Sequence, residues 1–344
     1  MGEKLKKRKL KAIGMFLLVF LLLISSFIGL VLFWPQENPH QVVKVTVQNG
    51  SSLNRIAEVL NEKGIISNKL MFRMAVQLLG KEKEIPIGRF SLVNARSNYE
   101  IIDQIVYGAP EVKKVRILEG WDLRQIAGHL SEVMDFDSTA LMQIATDNKF
   151  LKKNGISSLS LEGYLFPDTY FFFTGDTPKS VLAYLVTMHQ SFWEKRYVAQ
   201  AKKLKMTKHE IVTLASIIEG EAIYDSERAK ISAVYHNRLN IDMKLQADPT
   251  IQFIIPEPPR RLLNRDLKIK SPYNTYLNKG LPPGPINSPG KNSILAALYP
   301  EENDFIYFVA SGDGYHTFTT NEKDHNRAKR KLQKIRRALK RKNK

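Results

Sequence analysis

The alternation of apolar and polar positions divides this chain into a long oily segment followed by many short elements. Residues 12–34 are apolar apart from two serines, which is long enough to span a bilayer. Pro35–Gln41 reads as a linker. Val43, Val45 and Val47 then alternate as in a half-buried strand, Asn49-Gly50 makes a turn, and Ser51 or Ser52 caps a helix over Leu53–Lys63. The same strand–turn–helix pattern returns seventy residues later, pairing Gly50 with Gly120, Leu53 with Leu123, Ile56-Ala57 with Ile126-Ala127, and Leu60 with Leu130. The segment from Asp135 to Gly155 is mostly helical, and Thr177–Lys205 predicts one long helix with Val181, Tyr184, Leu185, Met188 and Phe192 inward. Ser226–Leu239 predicts another, with Ile231, Val234, Tyr235 and Leu239 inward. Ser271–Gly290 is a proline-stiffened loop, Phe305–Ala310 and Tyr315–Thr319 flank a hairpin turn, and a last helix starts near Asn321. Strand–helix alternation of this kind predicts a mixed α/β (α+β) fold.

The most informative stretch is Thr207–Ala222. Thr207 and Glu210 form a capping-box pattern, and Ile211, Leu214, Ala215, Ile218 and Ala222 share one face, with Val212 and Ile217 on the flanks. A helix apolar on most sides is buried. Glu219 lies at the edge of the apolar stripe, where desolvation favours the protonated form, as a general acid requires. The competing expectation is that Glu219 reaches water or pairs with an arginine. Gly220 leaves room for a close approach to the backbone.

Charge alters the picture once it is located. The net charge is +18, but residues 1–11 hold +5 of it and residues 328–344 hold +10, leaving +3 for everything between. Basicity confined to two tails disfavours a nucleic-acid-binding domain. The basic residues before the apolar span place the N-terminus in the cytoplasm and the remaining chain outside. Absence of cysteine removes disulfides and thiolate metal sites, and the seven histidines show no HExxH spacing.

Several polar residues stand out. Residues 161–173 are rich in aromatic rings, which stack on sugars, with Glu162 and Asp168 among them; a core strand with Pro167-Asp168 as its turn is the alternative. Gln246 could hydrogen-bond an acetamido group. Asp248, before Pro249, is either a ligand contact or a helix cap. Tyr273, Asn274 and Tyr276 are the polar and aromatic candidates of the rigid loop.

The ordered motifs EGYLFPDTY, LASIIEGEA, HNRL, MKLQADPT, SPYNTY, GLPPGPINSPG and YFVASGDGYHTF together resemble the endolytic murein transglycosylases, the YceG-like family. The first strand–turn–helix copy, with GSSLNRIA, is similar to a LysM-like glycan-binding module. The resemblance implies a lyase that cuts the MurNAc-β-1,4-GlcNAc bond inside nascent peptidoglycan and leaves a 1,6-anhydroMurNAc end, so terminating strand elongation. It implies Glu219 as the catalytic residue, no metal or cofactor, and an association with the wall-synthesis machinery and its peptidoglycan synthases at the inner membrane. Gln246, Asn274, Tyr273, Glu162 and Asp248 are then assigned to substrate positioning. The chain departs from the family pattern at Gly220-Glu221 and in its basic tail. The expected organisation is a cytoplasmic tail (1–11), a transmembrane helix (12–34), a LysM-like subdomain (42–110), a catalytic domain (111–327) and a basic tail (328–344). The alternatives are a hydrolase acting on the same bond, with Glu162, Asp168 or Glu221 aiding a water, and a non-catalytic wall-binding scaffold.

Overall fold

The computed structural model of the chain describes residues 2–36, 42–48, 50–255 and 260–342. Residues 37–41 of the expected linker, Asn49 of the expected turn, and Met1, Asn343 and Lys344 of the tails lie outside the described residues. The fold is mixed α/β, and among the described residues its strands join in three pairs. Two compact units form, one from residues 1–114 and 171–180, the other from 115–170 and 181–344.

The first unit holds α1 (Gly2–Leu32), β1 (Val43–Val47), α2 (Leu53–Glu62), α3 (Lys69–Leu78), β2 (Gly88–Leu92) and α4 (Asn98–Val106). β1 runs antiparallel to β2, with Val45 opposite Phe90. The inward positions Val45, Val47, Phe90 and Leu92 meet Ile56, Ala57 and Leu60 of α2 and Phe72 of α3 in one core. Ser52 caps α2 through the Arg55 N–H. The basic residues that precede the apolar span continue in the same helix, α1.

The chain passes between the units within β3 (Val112–Arg116) and within β4 (Thr169–Phe173), which pair with each other. The second unit contains α5 (Leu123–Met134), α6 (Ser138–Ala145), α7 (Asn148–Lys153), α8 (Pro178–Ser191, entered from the first unit), α9 (Lys195–Lys203), α10 (Lys208–Glu221), α11 (Asp225–Asn240), α12 (Asp248–Ile254), α13 (Lys291–Leu298), β5 (Tyr307–Ala310), β6 (His316–Thr319) and α14 (Glu322–Lys342). The repeat is visible in both units: Gly50 and Gly120 have φ of 80° and 76°, a backbone that glycine enters without a Cβ clash, and Ile56-Ala57 and Ile126-Ala127 are both buried.

Two expectations are corrected. Thr177–Lys205 is not one helix: it breaks at 192–194, where Glu194 is extended (ψ 160°) at the N-cap of α9. Phe192 stacks between Phe166 and Tyr197, at 5.5 and 5.0 Å, so aromatic packing outweighs helical continuity. Tyr184, expected inward, is half exposed.

α10 is the centre of the second unit. The Thr207/Glu210 capping box is formed, and Ile211 to Ile218 are buried without interruption. Each fully buried large aliphatic side chain contributes roughly 1.5–3 kcal/mol over an exposed one. Those contacts hold the C-terminal turn of α10, and the glutamates on it, in a fixed place.

Candidate active site at the end of the buried helix

Glu219 and Glu221, two residues apart at the end of α10, face different surroundings. The Glu219 carboxylate forms an ion pair with the Arg228 guanidinium of α11 at 3.0 Å, and both side chains are under a tenth exposed. Its other oxygen accepts the Gly290 N–H at 2.9 Å, from the N-cap of α13. Arg228 also pairs with Asp225 at 2.7 Å and donates to Ser293 Oγ. A guanidinium and a backbone amide thus hold the Glu219 side chain from two sides. Desolvation is answered by an arginine, the alternative that the sequence left open.

Loop contacts build this site. Ser216 Oγ accepts the Ile286 N–H at 3.0 Å, and Asn287 donates to the Ser216 carbonyl at 2.9 Å, tying the proline-rich loop to α10. Gly120 N–H donates to Ser288 O at 2.9 Å, and Ser288 N–H to Trp121 O at 2.8 Å, tying the same loop to residues 119–121. Glu119 is thereby brought beside Gly290. A Cβ on Gly290 would overlap the Glu119 carboxyl group, so the glycine is what lets that group in. Partial burial pushes the Glu119 acid up from its ordinary range, the negative charge of Glu219 adds to this, and Arg228 opposes it. Glu119 lines a groove of about 350 Å³ with Arg116, Leu118 and Asp168.

Glu221 faces a cleft of about 510 Å³, lined also by Arg238, Gln246, Asp248, Tyr276, Lys329 and Arg336. Burial, and then the charge of Asp248, push Glu221 up to about 7. Tyr235 donates to it at 3.1 Å. Gln246 has φ 50°, a left-handed backbone uncommon outside glycine. Asp248 accepts the Tyr276 hydroxyl at 2.5 Å and is not the cap of α12: Ala247 holds the N-cap position, with Pro249 in the second position of the helix. The Pro249 ring packs on Gly220, where a Cβ would lie 2.7 Å from it.

The remaining predicted residues lie elsewhere. Asn274 is fully buried; it donates to Leu267 O and Ile269 O at 3.0 and 2.7 Å and accepts Tyr276 N–H at 2.9 Å. Its amide is used up in shaping the loop, so it is unavailable to a ligand. Glu162 is buried, accepts the Leu123 N–H at the start of α5 at 3.1 Å, and is pushed up to about 8 by that burial. Both its oxygens accept that first N–H of α5, beside the Asp122 cap. Tyr273 is half-buried against Phe253, ring centroids 5.0 Å apart. Among the described residues, no group of three or more His, Asp or Glu is placed to hold a metal ion. The residues missed by sequence reasoning are Glu119, Arg228 and Gly290. Glu119 left a trace, since it precedes the repeated Gly120, and so did Gly290, the end of the proline-stiffened loop; Arg228 left none.

The YceG-like family profile matches residues 45–331. The chain belongs to the YceG-like family. Among its relatives, the endolytic murein transglycosylase of Bacillus subtilis (strain 168) is 33% identical over 311 residues, 86% of each chain. That of Streptococcus pneumoniae (serotype 2, strain D39) is 27% identical over 323 residues, covering 84% of this chain and 58% of the relative. The 2.6 Å crystal structure of a YceG-like protein from Listeria monocytogenes has a TM-score of 0.59 and 31% identity, covering 84% of this chain and 99% of its own. The matched region of this YceG-like chain includes Glu119, Glu219, Arg228 and Gly290.

Proposed function

We propose that this chain is a membrane-anchored endolytic lytic transglycosylase. It cuts the MurNAc-β-1,4-GlcNAc bond of nascent peptidoglycan, leaves a 1,6-anhydroMurNAc end and so terminates strand elongation. The observation that carries the reading is a carboxylate, Glu219, oriented from two sides at the end of a helix buried by a family-matched sequence. The reaction delivers one proton to the glycosidic oxygen and removes one from the muramic acid C6 hydroxyl, which attacks C1. No water is activated, unlike the two-carboxylate hydrolase scheme. Glu219 is the catalytic carboxylate, and Gln246 and Tyr273 are assigned to substrate positioning.

The helix Arg8–Leu32, 25 residues that include an 18-residue stretch of mean hydropathy 2.9, supports a single-pass anchor, with the N-terminus in the cytoplasm and the chain beyond residue 34 outside. At that surface the chain would work beside peptidoglycan synthases. Residues 42–110, which include the strand–helix–helix–strand unit β1–α2–α3–β2, are read as the LysM-like glycan-binding subdomain.

The test is digestion of purified glycan strands by the full chain in detergent, with product masses recorded. Anhydro ends lighter by one water than reducing ends support the lyase, and reducing ends support the hydrolase. Glu219→Gln should keep the fold and lose about 10²–10⁴ in rate. The Glu219–Arg228 pair favours one second reading, an anchored glycan-binding scaffold. That reading requires strand binding without cleavage by the unaltered chain.

A further inference from the structure

The Glu219 carboxylate is occupied by Arg228 and by the Gly290 amide and is under a tenth exposed. Glu119 differs on each count. It is exposed, it lines the groove with Arg116 and Asp168, and its carboxyl group lies over Gly290, whose N–H binds Glu219. A Cβ on Gly120 would lie 3.8 Å from Glu219 Cγ, so the residue next to Glu119 borders the Glu219 side chain, and both carboxyl groups approach Gly290.

We propose that Glu119 is a second catalytic residue of this site, the proton donor to the glycosidic oxygen, with Glu219 the base. The inference rests on the transglycosylase reading. In the first step the C1–O bond breaks, its electron pair stays with the departing oxygen, and the Glu119 proton moves to that oxygen to release the GlcNAc hydroxyl. In the second, the C6 hydroxyl oxygen bonds to C1 and its proton moves to Glu219. Solvent returns the proton from Glu219 to Glu119, which solvent reaches, so each turnover conserves protons. Glu219 and Asp225 favour the protonated form of Glu119 and Arg228 opposes it, while Arg116 and Asp168 line the same groove. Gly290 is then required by the chemistry, since any side chain there would displace the donor.

The test compares the full chain with Glu119→Gln and Glu219→Gln, in detergent, on two substrates. One is the glycan strand. The other is a 4-nitrophenyl β-glycoside of a MurNAc-terminated glycan, whose phenolate departs without a proton. Glu119→Gln should lose about 10²–10⁴ on strands, stay within about tenfold on the aryl glycoside, and lack the fall in rate at high pH shown by the unaltered chain. Glu219→Gln should lose both activities. Gly290→Ala, which displaces Glu119 without removing it, should show the same split between substrates. A Glu119→Gln variant within about threefold of the parent on strands overturns the proposal, as does an equal loss on both substrates, the mark of a positioning role. An unaltered chain that yields no anhydro ends overturns the underlying reading, and this inference with it.

Discussion

Replacing Arg228 with methionine tests the electrostatics on which the site stands. The pair with Glu219 is 3.0 Å long, with side-chain exposures of 8% and 7%. At an effective dielectric constant near 20, that distance corresponds to roughly 5.5 kcal/mol of gross attraction, much of it offset by desolvating both charges. The measurable quantity is the penalty of leaving Glu219 buried and unpaired, about 3–5 kcal/mol. Arg228 also serves the exposed Asp225, worth little, and the buried Ser293 hydroxyl. For a unit of roughly 220 residues, each kcal/mol lowers Tm by about 2–4 °C, so the second unit should unfold roughly 6–20 °C earlier. Scanning calorimetry of the detergent-solubilised chain resolves that transition. Adding Glu219→Gln to the methionine variant should restore most of the loss, because the stranded charge is gone. A single variant within about 2 °C of the parent, or a double variant no more stable than the single, would refute the reasoning.

Gly220→Ala should destabilise by about 1–3 kcal/mol, seen as a lower Tm, because its Cβ would lie 2.7 Å from the stiff Pro249 ring. Asn274→Ala should lower stability rather than raise KM alone, since it leaves the Leu267 and Ile269 carbonyls without their donor; calorimetry beside strand-cleavage kinetics separates the two. Glu162 is raised from 4.5 to about 8 in the folded chain, so its contribution is fully present below its unfolded value and is lost as pH rises through about 8. Glu162→Gln should therefore flatten the decline of Tm between about pH 4.5 and 8, and an unchanged slope would count against the burial argument.

Much of the framework was legible in the residues. The apolar run, the capping box of α10, the paired strand–turn–helix units and the β5–β6 hairpin are local patterns, set by side-chain periodicity and turn chemistry over fewer than thirty residues. The break at Phe192 was not legible, because it depends on rings from Phe166 and Tyr197 that local periodicity does not register.

The site divides along the same line. Periodicity put Glu219 on an oily helix and family motifs gave it a role, but neither could say what faced it. Arg228 belongs to another helix, Gly290 to the end of a rigid loop, and Glu119 to a turn a hundred residues earlier. Asn274 and Glu162 looked like ligand contacts until folding turned their polar atoms onto backbone groups. Composition and order along the chain decided which elements form and where charge accumulates. Only the tertiary arrangement decided which carboxyl group is neutralised by an arginine and which one meets a groove, because a buried charge answers to its neighbours in space rather than to those beside it in the chain.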